Sequence, residues 1–212
     1  MNILTEKYKI AVLASGRGSN LQAIIDYIAA NPDSLLKITL VVSDQPDAQA
    51  LIRAEAAGIP TLVLIPRDYP DKAAYEQALA ERIERAGVKL VVLAGFMRML
   101  SPIFLEKFTN KVINIHPSLL PAFPGLKAQE QALQYGVKIS GCTVHFVDTG
   151  MDSGPIIAQK AVPVLADDNP ETLAERILEQ EHILYPQVIE WLTQGRVVLD
   201  GRWVRIKAGG LE

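Results

Sequence analysis

The segment Lys9-Ile10-Ala11-Val12-Leu13-Ala14, which runs into Ser15-Gly16-Arg17-Gly18-Ser19-Asn20, decides the fold. A short, nearly continuous apolar run that stops at a Gly/Ser cluster is typical of a strand buried on both faces of a parallel sheet. From residue 19 to residue 30, apolar side chains recur at the spacing of one helix face. The segment therefore predicts a buried strand, a glycine turn and an amphipathic helix in succession.

The same order of elements repeats along the first half of the chain. Apolar runs predict further strands at 36–42, 61–65 and 89–94. Between them lie predicted helices at 49–57 and 72–86, each followed by a glycine in the usual C-terminal position. The order β-α-β-α-β-α-β predicts a doubly wound α/β fold with a mostly parallel sheet and right-handed crossovers.

Beyond residue 100 the pattern becomes mixed. The predicted elements are a short strand at 112–115, a proline-rich loop at 117–125, longer strands at 137–147 and 155–164, a helix at 171–194, and a hairpin of 197–199 and 203–206 around Asp200-Gly201. Pro186 should kink or split the long helix. Because no low-complexity linker or internal repeat occurs, we expect a single domain, residues 1–212, with a mixed C-terminal part.

Bulk composition narrows the class of protein. The 21 basic and 24 acidic residues give a net charge of −3, and the basic residues are scattered, so neither a nucleic acid nor a membrane is expected as a partner. Met1–Lys7 is too polar and too short for a signal peptide, and no uncharged apolar run of about 18 residues occurs. One cysteine, Cys142, fits a reducing compartment. We expect a cytoplasmic enzyme or binding protein.

The loop at 15–20 joins the first strand to the first helix. A helix N-terminus at the carboxyl end of a strand offers backbone N–H groups and partial positive charge to an anion. Leu21 stands at the third glycine position of the dinucleotide fingerprint and no Gly-Lys-Ser/Thr occurs, so neither a dinucleotide nor a Walker loop is indicated. The loop is interpreted either as a cradle for one phosphate of a small metabolite or as a tight turn with a Ser/Asn cap and no ligand.

Asn114 and His116 lie at the end of a predicted strand, before Pro117. Because side chains alternate along a strand, both should point the same way and could face a developing oxyanion. Asp152, in the acidic loop 148–154, is the carboxylate that we expect beside His116, where it would favour the charged imidazole. A capping histidine and a turn aspartate would explain the same residues without catalysis, and both interpretations stay open.

The other two histidines give weaker signals. His145 alternates with Thr143 and Val147 along a predicted strand, which suits a structural role at least as well as a functional one. His182 lies on the long helix beside Glu181, which could reach a ligand or only solvate a helix face. No spacing resembles a zinc or two-metal set and no Gly-x-Ser-x-Gly elbow occurs, so neither a metal site nor a Ser-His-Asp hydrolase is expected.

Five segments, taken in order, resemble one family: the glycinamide ribonucleotide formyltransferases, the folate-dependent transformylases of purine synthesis. The segments are SGRGSNLQ at 15–22, LAGFMRML at 93–100, NIHPSLLP at 114–121, GCTVHFV at 141–147 and QEH at 180–182. The resemblance covers about residues 8–200. Any one segment is weakly diagnostic, whereas all five in this order are highly specific.

The resemblance implies an activity and a division of the chain. The formyl group of 10-formyltetrahydrofolate, as co-substrate, would pass to the amine of 5-phosphoribosylglycinamide and give formylglycinamide ribonucleotide, without a metal. The phosphate would bind in the half at about 8–100, and the folate and the chemistry would occupy the half at about 101–212. Small molecules would be the partners of a monomer or homodimer.

The resemblance also implies site residues. The catalytic residues would be Asn114, His116 and Asp152, with Asp152 keeping His116 protonated. The substrate contacts would be Gly18, Ser19 and Asn20 at the phosphate, and Glu181. The folate pocket would be lined by Lys72, Leu93, Met97, Arg98, Met99, Leu100, Val112, Asn114 and the loop 147–152. Lys72 stands where relatives often carry arginine, and lysine lacks the planar fork. Gln129 stands where some relatives have a histidine and receives no role.

Three other activities share parts of this pattern. A methionyl-tRNA formyltransferase is expected to need a further C-terminal domain and a basic surface, whereas this chain ends at residue 212 and is slightly acidic. A formyltetrahydrofolate hydrolase is expected to need an N-terminal regulatory domain, whereas about eight residues precede the first strand. A non-catalytic sensor of a phosphorylated metabolite would need only the phosphate loop, which leaves Asn114, His116 and Asp152 unexplained.

Overall fold

A computed structural model describes residues 6–208 of the chain. Residues 1–5, which belong to the polar segment Met1–Lys7, lie outside the described residues. Within 6–208, no helix combines the length and the apolar character needed to cross a membrane. The chain divides into two compact units, one ending at Ile113 and the other beginning at Asn114.

The first unit alternates strands and helices. Its elements are β1 (Tyr8–Leu13), α1 (Ser19–Ala30), β2 (Leu36–Ser43), α2 (Gln49–Ala56), β3 (Thr61–Val63), a 3-10 turn (Pro66–Asp68), α3 (Lys72–Arg85), β4 (Leu90–Leu93) and α4 (Pro102–Lys107). The strands lie in the order β3-β2-β1-β4, and all three pairings are parallel. This order reverses direction at β1, as a doubly wound sheet does. The predicted α/β class with a mostly parallel sheet is confirmed.

The second unit begins within β5 (Val112–His116) and has a mixed character. Its further elements are α5 (Ala128–Tyr135), β6 (Ile139–Phe146), β7 (Ile156–Pro163), α6 (Pro170–Thr193), β8 (Val197–Asp200) and β9 (Trp203–Ile206). The order β5-β6-β7 contains an antiparallel β6–β7 pair, and β8 and β9 form a separate two-stranded sheet. Helix α6 packs on β6 and β7.

Burial explains why the strongest predictions succeed. In β1, the residues from Ile10 to Leu13 are all fully buried, as a strand covered on both faces requires. Helix α1 has its predicted bounds, and it buries Leu21 and Ile24 on the apolar face that the spacing indicated. The remaining predicted strands and helices of the first unit differ from the observed ones by one or two residues at their ends.

Two helices were not predicted, and two other details are corrected. Helix α4 is only six residues long, too short for a clear 3.6-residue pattern, and helix α5, with eight residues, has no capping side chain at its N-cap. Pro186 does not split the long helix: α6 is continuous from Pro170 to Thr193. The buried face around Pro186 packs in the second unit, which offsets the hydrogen bond that proline cannot make. The hairpin turns at Gly201-Arg202 rather than Asp200-Gly201, because Asp200 pairs with Trp203.

Gly141 is a steric test of the β6–β7 pairing. A Cβ at this position would overlap the backbone oxygen of Lys160 on β7. We expect Gly141→Ala to lower the free energy of unfolding by about 2 kcal/mol or more, because the two strands must move apart. Gly16→Ala is the control, since a Cβ at Gly16 meets nothing within 4 Å. Equal losses in urea denaturation of the two variants would contradict this account.

Candidate active site

Strand β5 carries two of the predicted catalytic residues at its end, where Pro117 stops the pairing. His116 is its last residue and is buried, while Asn114 is partly exposed. Both side chains belong to one cluster, which also contains His145 of β6 and Asp152 of the loop after it. The structure therefore brings together the three residues predicted to be catalytic and adds a fourth.

Asp152 is the centre of the cluster. Its Oδ2 lies 3.2 Å from His116 Nδ1 and accepts a hydrogen bond of 2.8 Å from the backbone N–H of Gly125. Its Oδ1 lies 3.6 Å from His145 Nε2. The interaction with His145 is the largest effect that lowers the pKa of Asp152 to about 2, and Gly125 and His116 act in the same direction against burial. Asp152 is thus a carboxylate at neutral pH.

The backbone is strained at two points of this cluster. Asp152 has φ 49° and Phe123 has φ 55°, both in the left-handed region that non-glycine residues rarely adopt. Each such residue costs of the order of 1 kcal/mol or more. The carbonyl of Phe123 is the partner of His116, so both strained residues hold a group that contacts His116. The fold tolerates strain here in order to direct these groups at one imidazole.

His116 lies between two hydrogen-bond acceptors. Its Nε2 is 2.9 Å from the Phe123 carbonyl, and its Nδ1 faces Asp152. Burial lowers the pKa of His116 below 6.5, and this effect outweighs the Phe123 carbonyl and Asp152, which raise the pKa. Asp152 thus acts on His116 in the predicted direction, towards the charged ring, while burial favours the neutral ring. A negative charge that develops beside the ring would raise its pKa.

His145 contacts a backbone carbonyl with one ring nitrogen and the cluster with the other. Its Nδ1 lies 2.8 Å from the Phe146 carbonyl, which can only accept, so Nδ1 carries a proton. Its Nε2 lies 3.4 Å from the side-chain nitrogen of Asn114 and 3.6 Å from Asp152 Oδ1. An Asn114 amide oriented in this way keeps a second N–H for another acceptor. The sequence left the role of His145 open, and the structure places it against both Asn114 and Asp152.

A buried hydroxyl fixes the proline-rich loop 117–125. Thr143 Oγ1 donates to the Ser118 carbonyl at 2.7 Å and accepts from the Leu120 N–H at 3.0 Å. Gln159 Nε2 donates to the same hydroxyl and to the Leu120 carbonyl, each at 2.9 Å. The loop that supplies the Phe123 carbonyl and the Gly125 N–H to the cluster is thus attached to both β6 and β7.

In the first unit, the glycine loop makes a close turn before α1. Gly18 is the N-cap of the helix with φ 67°, and a Cβ there would lie 2.7 Å from the Cα of Ala50. Ser19 and Asn20 are the first two residues of the helix, after the N-cap position, so the predicted Ser/Asn cap is wrong. The phosphate cradle stays a prediction.

The segment after β4 presents three of the predicted folate residues. Met97 and Met99 are well exposed, and the side chain of Arg98 is 42% exposed. Leu93 and Leu100 are buried and can offer a ligand only an edge. The Met97 N–H donates to Ser15 Oγ at 3.0 Å, so this segment is bonded to the glycine loop.

Lys72 lies in the first unit and Glu181 in the second. Lys72 begins α3, with Nζ 3.7 Å from Glu76 Oε1, at the rim of a groove of about 520 Å³ between α3 and α4. Glu181 is a buried residue of α6. Its charge, after burial, helps to raise the pKa of Cys142 to about 12. The thiol is therefore neutral and unreactive as a nucleophile.

Four residues that contact the segment 97–101 received no role from the sequence: Ser15, Asp44, Tyr75 and Glu76. Ser15 lies two residues after β1 and Asp44 directly follows β2, at the carboxyl ends where α/β folds bind ligands, so their position was an available signal. Tyr75 and Glu76 gave no such signal, because they lie within helix α3, where nothing in the sequence distinguishes them from ordinary helix residues. Among residues 6–208, no group of three His, Cys, Asp or Glu side chains could hold a metal ion.

Comparison with known proteins defines the class. The formyl transferase family matches residues 8–189, and the chain belongs to that family. This is the family that the sequence resemblance predicted.

Individual relatives are consistent with this membership. The chain is 49% identical to the phosphoribosylglycinamide formyltransferase of Bacillus subtilis, over 87% of this chain and 94% of that protein. The crystal structure of glycinamide ribonucleotide transformylase 1 from Symbiobacterium toebii matches with a TM-score of 0.94, at 50% identity and 98% coverage of both chains. The chain is also 45% identical, over 91% of its length, to the trifunctional purine biosynthetic protein adenosine-3 of Drosophila melanogaster, of which it spans only 14%. The predicted family resemblance is confirmed.

Asp152→Asn tests the coupling between Asp152 and His116. The pKa of His116 should fall further below 6.5 in this variant, because the carboxylate that raises it is lost. The chain has three histidines, so the imidazole protons can be titrated by NMR, with a His182→Gln variant to help assign them. A His116 pKa that stays unchanged or rises would contradict the geometry.

The lowered pKa values of Asp152 and His116 predict how the stability of the fold depends on pH. Asp152 and His116 both have folded-state pKa values below their ordinary values, so each binds fewer protons in the folded chain. Their contribution to the free energy of unfolding is complete above pH 6.5. The His116 part is lost as the pH falls below 6.5, and the Asp152 part as it falls from 3.8 towards about 2. Denaturation midpoints measured from pH 8 downwards should decrease, and less so for Asp152→Asn below pH 4.

Proposed function

We propose that the chain transfers the formyl group of 10-formyltetrahydrofolate to the amine of 5-phosphoribosylglycinamide, giving formylglycinamide ribonucleotide. The observation that carries the proposal is the cluster of Asn114, His116 and Asp152, in which His116 Nδ1 lies 3.2 Å from Asp152 Oδ2. Family membership and the similarity to formyltransferases over most of the chain support the same substrates.

The reaction makes one C–N bond and breaks another. The substrate amine attacks the formyl carbon, and the carbonyl oxygen of the tetrahedral intermediate becomes negative. The bond to N10 of the folate then breaks, while one proton passes from the attacking amine to the leaving N10. The protein must therefore stabilise an oxyanion and move a proton, and oxyanion stabilisation is commonly worth several kcal/mol.

Asn114 and His116 are the groups that we assign to the oxyanion. Asn114 donates the N–H that His145 does not use. His116 exchanges its Phe123 contact for the substrate oxygen, and the negative charge raises the pKa of the ring as it forms. Asp152 favours the protonated form of His116, which keeps its proton throughout the reaction, and as a carboxylate Asp152 accepts the amine proton through water before N10 receives it.

The binding residues divide by the part of each substrate that they contact. Gly18, Ser19 and Asn20 bind the phosphate at the start of α1, and Glu181 contacts the rest of the same substrate. The folate is contacted by Lys72, Leu93, Met97, Arg98, Met99, Leu100 and Asn114. We further propose that the enzyme works on small molecules as a monomer or homodimer in the cytoplasm, which the lone buried Cys142 suits.

An assay with purified protein tests the activity. Deformylation of 10-formyltetrahydrofolate is followed by absorbance, with and without 5-phosphoribosylglycinamide. We expect deformylation to require the amine. Asp152→Asn should bind the folate nearly as well as the wild type but turn over at least about a hundredfold more slowly, because its proton-transfer role is lost. Deformylation that proceeds equally without the amine would make the protein a hydrolase and contradict the proposal.

A charge placed at the start of α1 tests the phosphate site. Ser19→Asp should raise the KM for the phosphorylated amine about tenfold or more, because a carboxylate there repels the phosphate. The KM for the folate and the folded state should be little changed, since acidic residues suit a helix N-terminus. Ser19→Ala is the matched control, which removes the hydroxyl without adding charge. Similar KM values for Ser19→Asp and Ser19→Ala would remove the phosphate from this loop.

A further inference from the structure

Asp44 is a buried carboxylate with an incomplete set of partners. It follows β2 directly, and its side chain is 2% exposed. Its Oδ2 lies 3.7 Å from Arg98 Nη1 and 3.4 Å from Gln45 Nε2. Within residues 6–208, Oδ1 has no hydrogen-bond partner, and Arg98 is the cation paired with this carboxylate. Burial of a carboxylate so weakly compensated costs stability, so a role other than folding is indicated.

Tyr75 holds the other side of the same guanidinium. The Cζ of Arg98 lies 5.6 Å from the centroid of the Tyr75 ring, within the range of a cation–π contact. Tyr75 is buried, and within the described part of the chain its hydroxyl has no hydrogen-bond partner. Burial and then Asp44 raise the pKa of Tyr75 to about 12, so the phenol stays neutral. Arg98 is thus held between one carboxylate and one aromatic face.

The backbone around Arg98 is fixed on both sides. The Met97 N–H donates to Ser15 Oγ, and the Ser101 N–H donates to Glu76 Oε1, each at 3.0 Å. With the backbone held, the remaining freedom belongs to the Arg98 side chain, whose outer part reaches solvent. Asp44 and Tyr75 restrict that freedom without covering the guanidinium.

We propose that Asp44 is a positioning residue for formyl folate binding, which acts by holding the Arg98 guanidinium in one orientation. The inference rests on the proposed function, in which Arg98 contacts the folate. A side chain that is ordered before the ligand arrives loses less entropy on binding, so the bound complex is favoured. Asp44 itself touches neither substrate and takes no part in formyl transfer.

Asp44→Asn is the first variant, because it keeps the shape of the side chain and removes its charge. We expect the KM for 10-formyltetrahydrofolate to rise about tenfold, with kcat and the KM for the phosphorylated amine changed less than about twofold. The midpoint of thermal unfolding should be unchanged or higher, because the cost of the buried charge is removed. An unchanged folate KM, or a loss confined to kcat, would overturn the proposal.

A double-mutant cycle with Arg98→Ala shows whether Asp44 acts through Arg98. In the Arg98→Ala background, Asp44→Asn should leave the folate KM nearly unchanged, because the group that it positions is gone. The same increase in both backgrounds would overturn the proposal, since Asp44 would then act independently of Arg98.

The Arg98→Ala variant also distinguishes a failure of the proposed function from a failure of the role proposed for Asp44. A wild-type enzyme that transfers formyl groups, together with a higher folate KM for Arg98→Ala alone, supports the proposed function whatever Asp44→Asn does. An Arg98→Ala variant with the wild-type folate KM would instead remove Arg98 from the folate site, and the role of Asp44 with it.

Discussion

Parallel pairing of β1 with β2 on one side and β4 on the other is the constraint on which the first unit depends. Parallel strands end at the same edge of a sheet, so the residues that follow them become neighbours although they are distant in sequence. The Ser15 N–H donates to the Gly95 carbonyl at 3.0 Å, and Ser15 Oγ accepts from Met97. One serine therefore ties the glycine loop to the segment that carries Arg98, so a displacement of either would move the other.

In the second unit, the equivalent role belongs to a shared carboxylate. Asp152 is surrounded by the Gly125 N–H and the imidazoles of His116 and His145. These three groups explain why its carboxylate stays charged although little of the side chain is exposed. Each imidazole contacts a backbone carbonyl with its other nitrogen, Phe123 for His116 and Phe146 for His145, but only His145 also lies against the Asn114 amide. The same carboxylate can thus serve in proton transfer and also orient the two histidines.

Local sequence patterns predicted the framework well, because the buried strands and α1 have long apolar signals. Helix α4 was missed although Ser101-Pro102 is a proper N-terminal signal, since six residues show too little periodicity. Helix α5 has Lys127 as its N-cap, with φ 59° and no side-chain cap, so no capping signal existed. Asn114, His116 and Asp152 could be named from strand alternation and family resemblance. The direction of the pKa shift of His116 could not be predicted in this way, because it depends on a balance of burial and charge that only the folded geometry determines.

Thr143 uses its hydroxyl completely, with one hydrogen bond donated and two accepted. Valine would match its shape and lose all three bonds, whereas serine would keep the bonds and lose a methyl group from a site with no solvent exposure. Selection would therefore tolerate little drift at this position, although the hydroxyl bonds only to the loop 117–125 and to Gln159 of β7. In an alignment, such invariance would look like a signature of chemistry, while its cause would be the architecture of a loop.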